Sequence, residues 1–317
     1  MLQNVVAFRS WFRFETLVSL WCFPLEAPPA SVRRDAGNGD LGDADGAQEA
    51  RCPMNLSSPT LSIAQPKQHV TLVTLNRPTV ANAMNTQLGT AIMALFESLN
   101  LDAGGIRCVV ITGAGDRAFC AGADLKERKD MTDEVWVRQH LIYERMVRAI
   151  LGCPIPVIAA VNGAAYAGGC ELALACDFIY ASEHARFALT EVTLGIMPGA
   201  GGTQTLARAV GERRAKEIIL TGKPFTAHQA HQWGLVNRVL PATEVVHEAL
   251  STADAIARNA PISVRQAKQA IGRGLNMSLS DGLVFETEAY YRTVPTEDRR
   301  EGMTSFNEKR PAIFKGR

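Results

Sequence analysis

No stretch of this 317-residue chain stays apolar for the roughly 18 residues that a membrane-crossing helix needs, so no helical span is expected. Charge of one sign is not in excess either: 33 Lys and Arg against 32 Asp and Glu leave a formal +1. That near-balance argues against bulk electrostatic attraction to nucleic acid or to a membrane surface. The seven cysteines, at 22, 52, 108, 120, 153, 170 and 176, show neither a metal-ligand spacing nor a disulfide framework. Several lie inside apolar runs, where a reduced Cys behaves as a small hydrophobe, and a reducing compartment is the better reading. No tandem repeat recurs at a fixed period. What is present, 47% hydrophobic and 21% charged residues, is the profile of a globular protein able to bury a sizeable core.

Lysine is missing from the first 53 residues altogether. Residues 35–49 (DAGNGDLGDADGAQE) are rich in Gly, Asp and Ala without periodicity and read as disordered. Residues 1–34 carry Arg9, Arg13, Arg33 and Arg34 against Glu15 and Glu26. Two origins fit: a mitochondrial transit peptide, or an upstream extension with Met54 as the true start. Regular patterning begins directly after Met54, which favours the extension and a cytoplasmic, bacterial-type protein; the alternative is the mitochondrial matrix.

From there, β-type runs appear at HVTLVTLN (69–76), IRCVVITG (106–113), PVIAAVNG (156–163), DFIYAS (177–182), ARFALTE (185–191) and LVNRVL (235–240). Helix-period segments at 85–100, 133–151 and GGCELALACD separate them. Alternation of this kind predicts an α/β fold with a largely buried sheet. After residue 244 the strands stop and four helices follow, the last capped by Thr296 with acidic residues in its first turn. The expected organisation is an extension over 1–53, an α/β core over 54–243 and a helical region over 244–317.

Three stretches carry chemistry. In AVNGAAYAGGCELALACD (160–177), Gly168 and Gly169 open a helix that is apolar nearly all round, yet its first turn holds Glu171 with no Lys or Arg within eight residues. Burying an unpaired carboxylate is costly. Either it pairs with a distant cation or caps the helix start, or the apolar setting raises its pKa and fits it for proton transfer. The glycine amides at the positive end of that helix can donate to a developing oxyanion. RAFCAGADLKER (117–128) follows a strand, the usual place for a site in an α/β sheet, and its small residues let a ligand approach the main chain. The plainer reading is a tight turn with Asp124 as N-cap. In FALTEVTLGIMPGAGGTQTL (187–206), Glu191 ends a strand 20 residues after Glu171, and two carboxylates can divide acid and base duties. The Pro198–Gly202 loop reads as the floor of a pocket, leading to a helix capped by Thr203; it lacks the Lys of a phosphate-binding loop.

Other signals are weaker. Gly113-Ala-Gly115-Asp-Arg-Ala118 formally fits a dinucleotide fingerprint but opens no long helix. His228 and His231 have no third ligand type nearby, so a metal site is not expected. The basic tail at Lys309, Arg310, Lys315 and Arg317 reads as a solvated end, with phosphate contact the sharper option.

Taken together, LVTLNRP (72–78), FCAGADLKER, NGAAYAGGCELALACD, LTEVTLGIMPGAGGTQ and PTEDRREGMTSFNEKR resemble the enoyl-CoA hydratase, or crotonase, family in order and spacing over residues 60–317. Within it, FCAGADLKER and ELALACD are similar to the methylglutaconyl-CoA hydratases, also known as AU-rich RNA-binding proteins, and GGCELA and PGAGGTQ also to the short-chain hydratases. The resemblance implies a spiral of ββα turns, a C-terminal helical region that builds trimers, and commonly a dimer of trimers. It implies an acyl-CoA substrate, with coenzyme A part of that substrate, and no further cofactor or metal. It assigns the Ala123 and Gly168 amides to an oxyanion hole and a shared water to Glu171 and Glu191. Arg77 and the 123–126 loop (Ala123, Asp124, Leu125, Lys126) would bind the CoA portion, completed by Phe306 and Lys309. Isomerase members typically keep only the carboxylate matching Glu191, so both glutamates together point to hydration. RNA binding is not expected, because residues 82–105, matching a lysine-studded helix of the RNA-binding relatives, hold no Lys or Arg. Ala167 stands where many relatives have a third glycine, which is tolerable if its φ is negative. Trp136, His140 and Met146, on the 133–151 helix, are expected to line the acyl pocket.

Overall fold

The computed structural model describes residues 57–317; the expected extension or presequence over 1–53 lies outside the described residues. The described residues open with an antiparallel hairpin, β1 (Leu61–Lys67) and β2 (Val70–Leu75), followed by helix α1 (Thr86–Leu101). Successive turns of a spiral follow. The first contains β3 (Cys108–Gly113), β4 (Ala118–Cys120), the one-turn helix α2 (Leu125–Arg128) and α3 (Asp133–Leu151). The second contains β5 (Val157–Val161), β6 (Ala164–Tyr166) and α4 (Gly168–Ala175). The third contains β7 (Phe178–Ser182), β8 (Arg186–Ala188), a 3-10 turn at Glu191–Leu194, α5 (Gly202–Val210) and α6 (Glu212–Thr221). Then come β9 (Phe225–Thr226), α7 (Ala227–Gln232) and β10 (Arg238–Leu240), and last the helices α8 (Val245–Ala257), α9 (Pro261–Gly274), α10 (Leu279–Tyr291) and α11 (Glu297–Glu308).

Each turn gives its first strand to one sheet and its second to another. The larger sheet runs β1-β2-β3-β5-β7-β10, parallel from β2 onward; the smaller runs β4-β6-β8-β9. This is the ββα spiral that the motifs imply. Period-2 alternation splits the large sheet's side chains between two cores. Val109, Ile111, Val157, Ala159 and Val161 face the main core with α1, α3 and α4. Cys108, Val110, Ile158 and Ala160 face α8, which presents Val245, Ala249, Ala253 and Ala257 at four-residue spacing. Small residues at that interval let the helix lie close on the sheet. With both faces covered, these strands read as continuous apolar runs.

Helix starts follow local chemistry. Asn85 accepts from the Leu88 amide, Thr132 from Val135 and Thr296 from Arg299, with acidic residues in the first turns of α3 and α11. Thr203 does not cap α5, contrary to expectation: the helix begins at Gly202 after Gly201 at φ +94. The amides there are already engaged by a carboxylate, as described below. The five described cysteines, 108, 120, 153, 170 and 176, are buried and free.

Candidate active site

The site forms where the turns of the spiral cross. Gly122 and Asp124 are tied to Met84, whose amide donates to the Gly122 carbonyl and whose carbonyl accepts from Asp124. The Ala123 N–H between them donates to no main-chain carbonyl among the described residues. Gly168 opens α4, so its amide has no acceptor in its own helix. The two amides are neighbours: a Cβ on Gly168 would stand 3.9 Å from the Ala123 nitrogen, and one on Gly122 would stand 3.4 Å from the Gly168 nitrogen. Glycine is required beside them, because a Cβ on Gly169 would lie 2.1 Å from the Cys120 carbonyl oxygen.

Ala167 corrects an expectation. Its φ is +49 and ψ −124, not the negative φ that alanine prefers. The chain has to reverse there, between β6 and the first amides of α4, and the alanine takes the strained conformation with Gly122 clearing its methyl.

Glu171 is buried in α4, and no cation pairs with it among the described residues. Its Oε1 accepts from the Ala200 and Gly202 amides, both at 2.8 Å. The 198–202 loop is therefore more than a pocket floor: it grips a carboxylate, and a Cβ on Gly202 would stand 2.9 Å from that oxygen. His140 holds the same loop through Nε2 and the Gly199 carbonyl, 3.1 Å apart. Nothing in the local sequence signals this pairing, which joins α4 to a loop 29 residues on. Burial pushes the Glu171 carboxyl above the usual carboxylate range, against the pull of the two amides and His140.

Glu191 does not end a strand. It opens the 3-10 turn, past the end of β8 at Ala188. It is buried, and neither carboxylate oxygen has a hydrogen-bond partner among the described residues. Burial foremost, against the pull of its own backbone N–H and with repulsion from the Glu171 charge added, pushes its pKa up to about 7.

Both glutamates line one cavity of about 520 Å³ together with Ala123 and Gly168. Trp136, His140, Tyr143 and Met146 from α3 form another part of its wall. Of the other residues expected to hold the CoA portion, Leu125 is on that wall, whereas Arg77, Asp124, Lys126, Phe306 and Lys309 are not. Arg77 donates through Nη1 to Asp124 Oδ2 at 2.9 Å and to the Ala83 carbonyl, so it braces the loop. Asp124 also caps α2, accepting from the Lys126 and Glu127 amides. Burial would raise the Asp124 carboxyl, but Arg77 and these amides overcome that and hold it below its ordinary value. Lys126, Phe306 and Lys309 are exposed. Among the described residues no cluster of ligating side chains suits a metal ion, and His231 is engaged through Nδ1 with the Val236 carbonyl, 2.8 Å away. Arg310 and Arg317 of the tail pair with Glu301, Glu308 and Glu297.

Residues 65–317 match the family model described as enoyl-CoA hydratase/isomerase. The chain belongs to that family. Among the relatives, YngF of Bacillus subtilis is 46% identical over 249 residues, 78% of this chain and 95% of its own length. The short-chain-enoyl-CoA hydratase of Clostridium acetobutylicum is 40% identical over 248 residues, again 78% of this chain and 95% of its own. The crystal structure of an enoyl-CoA hydratase from Bacillus anthracis is similar with a TM-score of 0.80 at 43% identity, covering 81% of this chain and all of that one. Family membership accounts for the two-sheet spiral and for the C-terminal helices.

Proposed function

We propose that the protein is an enoyl-CoA hydratase, adding water reversibly and syn across the 2,3 double bond of an enoyl-CoA thioester. The observation that carries this reading is the pair of buried glutamates on one cavity, with unlike surroundings, beside two unpaired amides. Two amides from the 198–202 loop hold Glu171 and favour its ionised form; no other segment donates to Glu191, which keeps its proton near neutral pH. A water between them would lose a proton to Glu171 as its oxygen attacks C3, while Glu191 delivers a proton to C2. Charge building on the thioester oxygen would be met by the Ala123 and Gly168 N–H groups. C3 gains a hydroxyl, C2 a hydrogen, and the two carboxyls exchange protonation states. The step as written needs no metal or redox group, and coenzyme A enters with the substrate. A family member that only shifts a double bond would need one carboxylate, which is why the intact pair supports hydration.

The test is crotonyl-CoA turnover, followed through loss of the enoyl-thioester absorbance. Replacing Glu191→Gln or Glu171→Gln should each lower kcat/KM by about 10²–10⁴. Parent and variants of equal activity on a panel of enoyl-CoA substrates would overturn the reading.

The same proposal includes a homotrimer or a dimer of trimers. α9 has no buried residue, and Leu275 and Leu279 at its junction with α10 are 83% and 80% exposed. Such a face needs a cover. Phe306 and Lys309 lie away from their own chain's cavity, which supports their completing the CoA site of a neighbouring copy.

A further inference from the structure

One charged side chain on the cavity wall has no task in the mechanism above. Arg128, the last residue of α2, keeps only 8% of its surface exposed. Its Nε donates to Gln139 Oε1 at 2.7 Å, and its guanidinium carbon lies 4.2 Å from the centre of the Trp136 ring and 5.5 Å from that of Tyr143. The Nη groups make no hydrogen bond to protein among the described residues. The adjacent acid, Glu127, is occupied elsewhere: its carboxylate accepts from the Thr86 amide at 2.9 Å and from Gln139 Nε2 at 2.8 Å. No carboxylate forms an ion pair with Arg128 among the described residues, and the nearby Glu127 charge offsets its burial only in part. A guanidinium cannot shed its charge, and burying it without a counter-ion is costly. The remaining wall is mainly apolar, with Met84, Leu125, Trp136, Met146 and Met197.

We infer that Arg128 selects acyl groups whose far end carries a carboxylate, the missing counter-charge arriving with the substrate. This rests on the acyl-CoA reading of the cavity. The planar fork suits bidentate pairing with a carboxylate, and the Gln139 and Trp136 contacts fix its plane beforehand. A hydrocarbon tail would fill the apolar wall but leave the cation unpaired, so neutral acyl chains are disfavoured rather than merely less favoured.

Binding of saturated thioesters tests this without requiring turnover. Calorimetric titration of the full chain should show glutaryl-CoA binding about ten- to a hundredfold more tightly than pentanoyl-CoA. Arg128→Met should abolish or reverse that preference while leaving the affinity for free CoA unchanged; Arg128→Lys should keep part of it. The inference is overturned if the parent binds the two thioesters equally. It is also overturned if Arg128→Met weakens free CoA and both thioesters alike, which would place the guanidinium on the CoA moiety. Should the Met variant fail to fold, the parent comparison decides. Loss of hydratase activity toward every enoyl thioester would defeat the catalytic proposal but not this binding preference, so the two fail separately.

Discussion

At the scale of residues, two identical side chains are set apart by their neighbours. Glu191 has a folded-state pKa above its unfolded value, so between the usual carboxylate range and about 7 the folded protein holds a proton that the unfolded chain has lost. The contribution to stability is therefore greatest at low pH, declines as pH rises toward about 7, and changes little beyond. Glu191→Gln cannot ionise. It should melt higher than the parent at about pH 8 and lose that advantage near about pH 4, in thermal unfolding of both proteins. An advantage equal at both pH values would contradict the burial argument. In catalysis the same titration should lower kcat/KM on the alkaline side of about pH 7, as the proton donor ionises. Glu171 separates chemistry from structure. Gln at 171 keeps an oxygen for the Ala200 and Gly202 amides, whereas Ala leaves both amides buried and unpaired. Glu171→Ala should therefore lose about 1–3 kcal/mol of unfolding free energy beyond Glu171→Gln, measurable by denaturant titration.

At the scale of elements, the strain at Ala167 makes a prediction of its own. With φ at +49 and ψ at −124, the position suits glycine, and Ala167→Gly should raise Tm by roughly 2–4 °C once glycine's greater unfolded entropy is offset. An unchanged or lowered Tm would show that the surroundings already relieve the strain. Elements also show where the sequence is readable. The buried strands β3, β5 and β7 and the helix α3 stand out as apolar runs or an amphipathic period, and α3 keeps the bounds 133–151 that its pattern suggests. The second strands of the first two turns do not stand out: AFC and AAY are three residues each, too short to show alternation. β1 is hidden for another reason, being an edge strand with only Leu61 buried and Pro66 within it. At the site, the glutamates and glycines are legible as residue types that are expensive to bury or needed at close approaches. The grip of the 198–202 loop on Glu171, the commitment of Arg77 to Asp124 and the unpaired Arg128 are not, because each joins segments distant in sequence.

At the scale of the whole molecule, the exposed apolar face of α9 and α10 sets the expectation. Leu283 and Val284 on α10 stand 53% and 65% exposed, close to Leu275 and Leu279 in sequence. A charge on that face, as in Leu283→Asp with Val284→Asp, should shift the sedimentation coefficient from that of a trimer or hexamer to that of a monomer. If Phe306 and Lys309 serve a neighbouring copy, the dissociated variant should also show a raised KM for crotonyl-CoA. A parent protein that already sediments as a monomer would end the proposal. No helix among the described residues is long and apolar enough to cross a membrane.

The spiral distributes the site over consecutive coils: one amide from the first, another amide and a carboxylate from the second, the other carboxylate from the third. No segment of chain carries a working fraction of it. During refolding, then, enzymatic turnover should reappear only when the last coil has wound into place, lagging behind recovery of helical circular dichroism from the earlier ones. The catalyst doubles as its own reporter of completed winding.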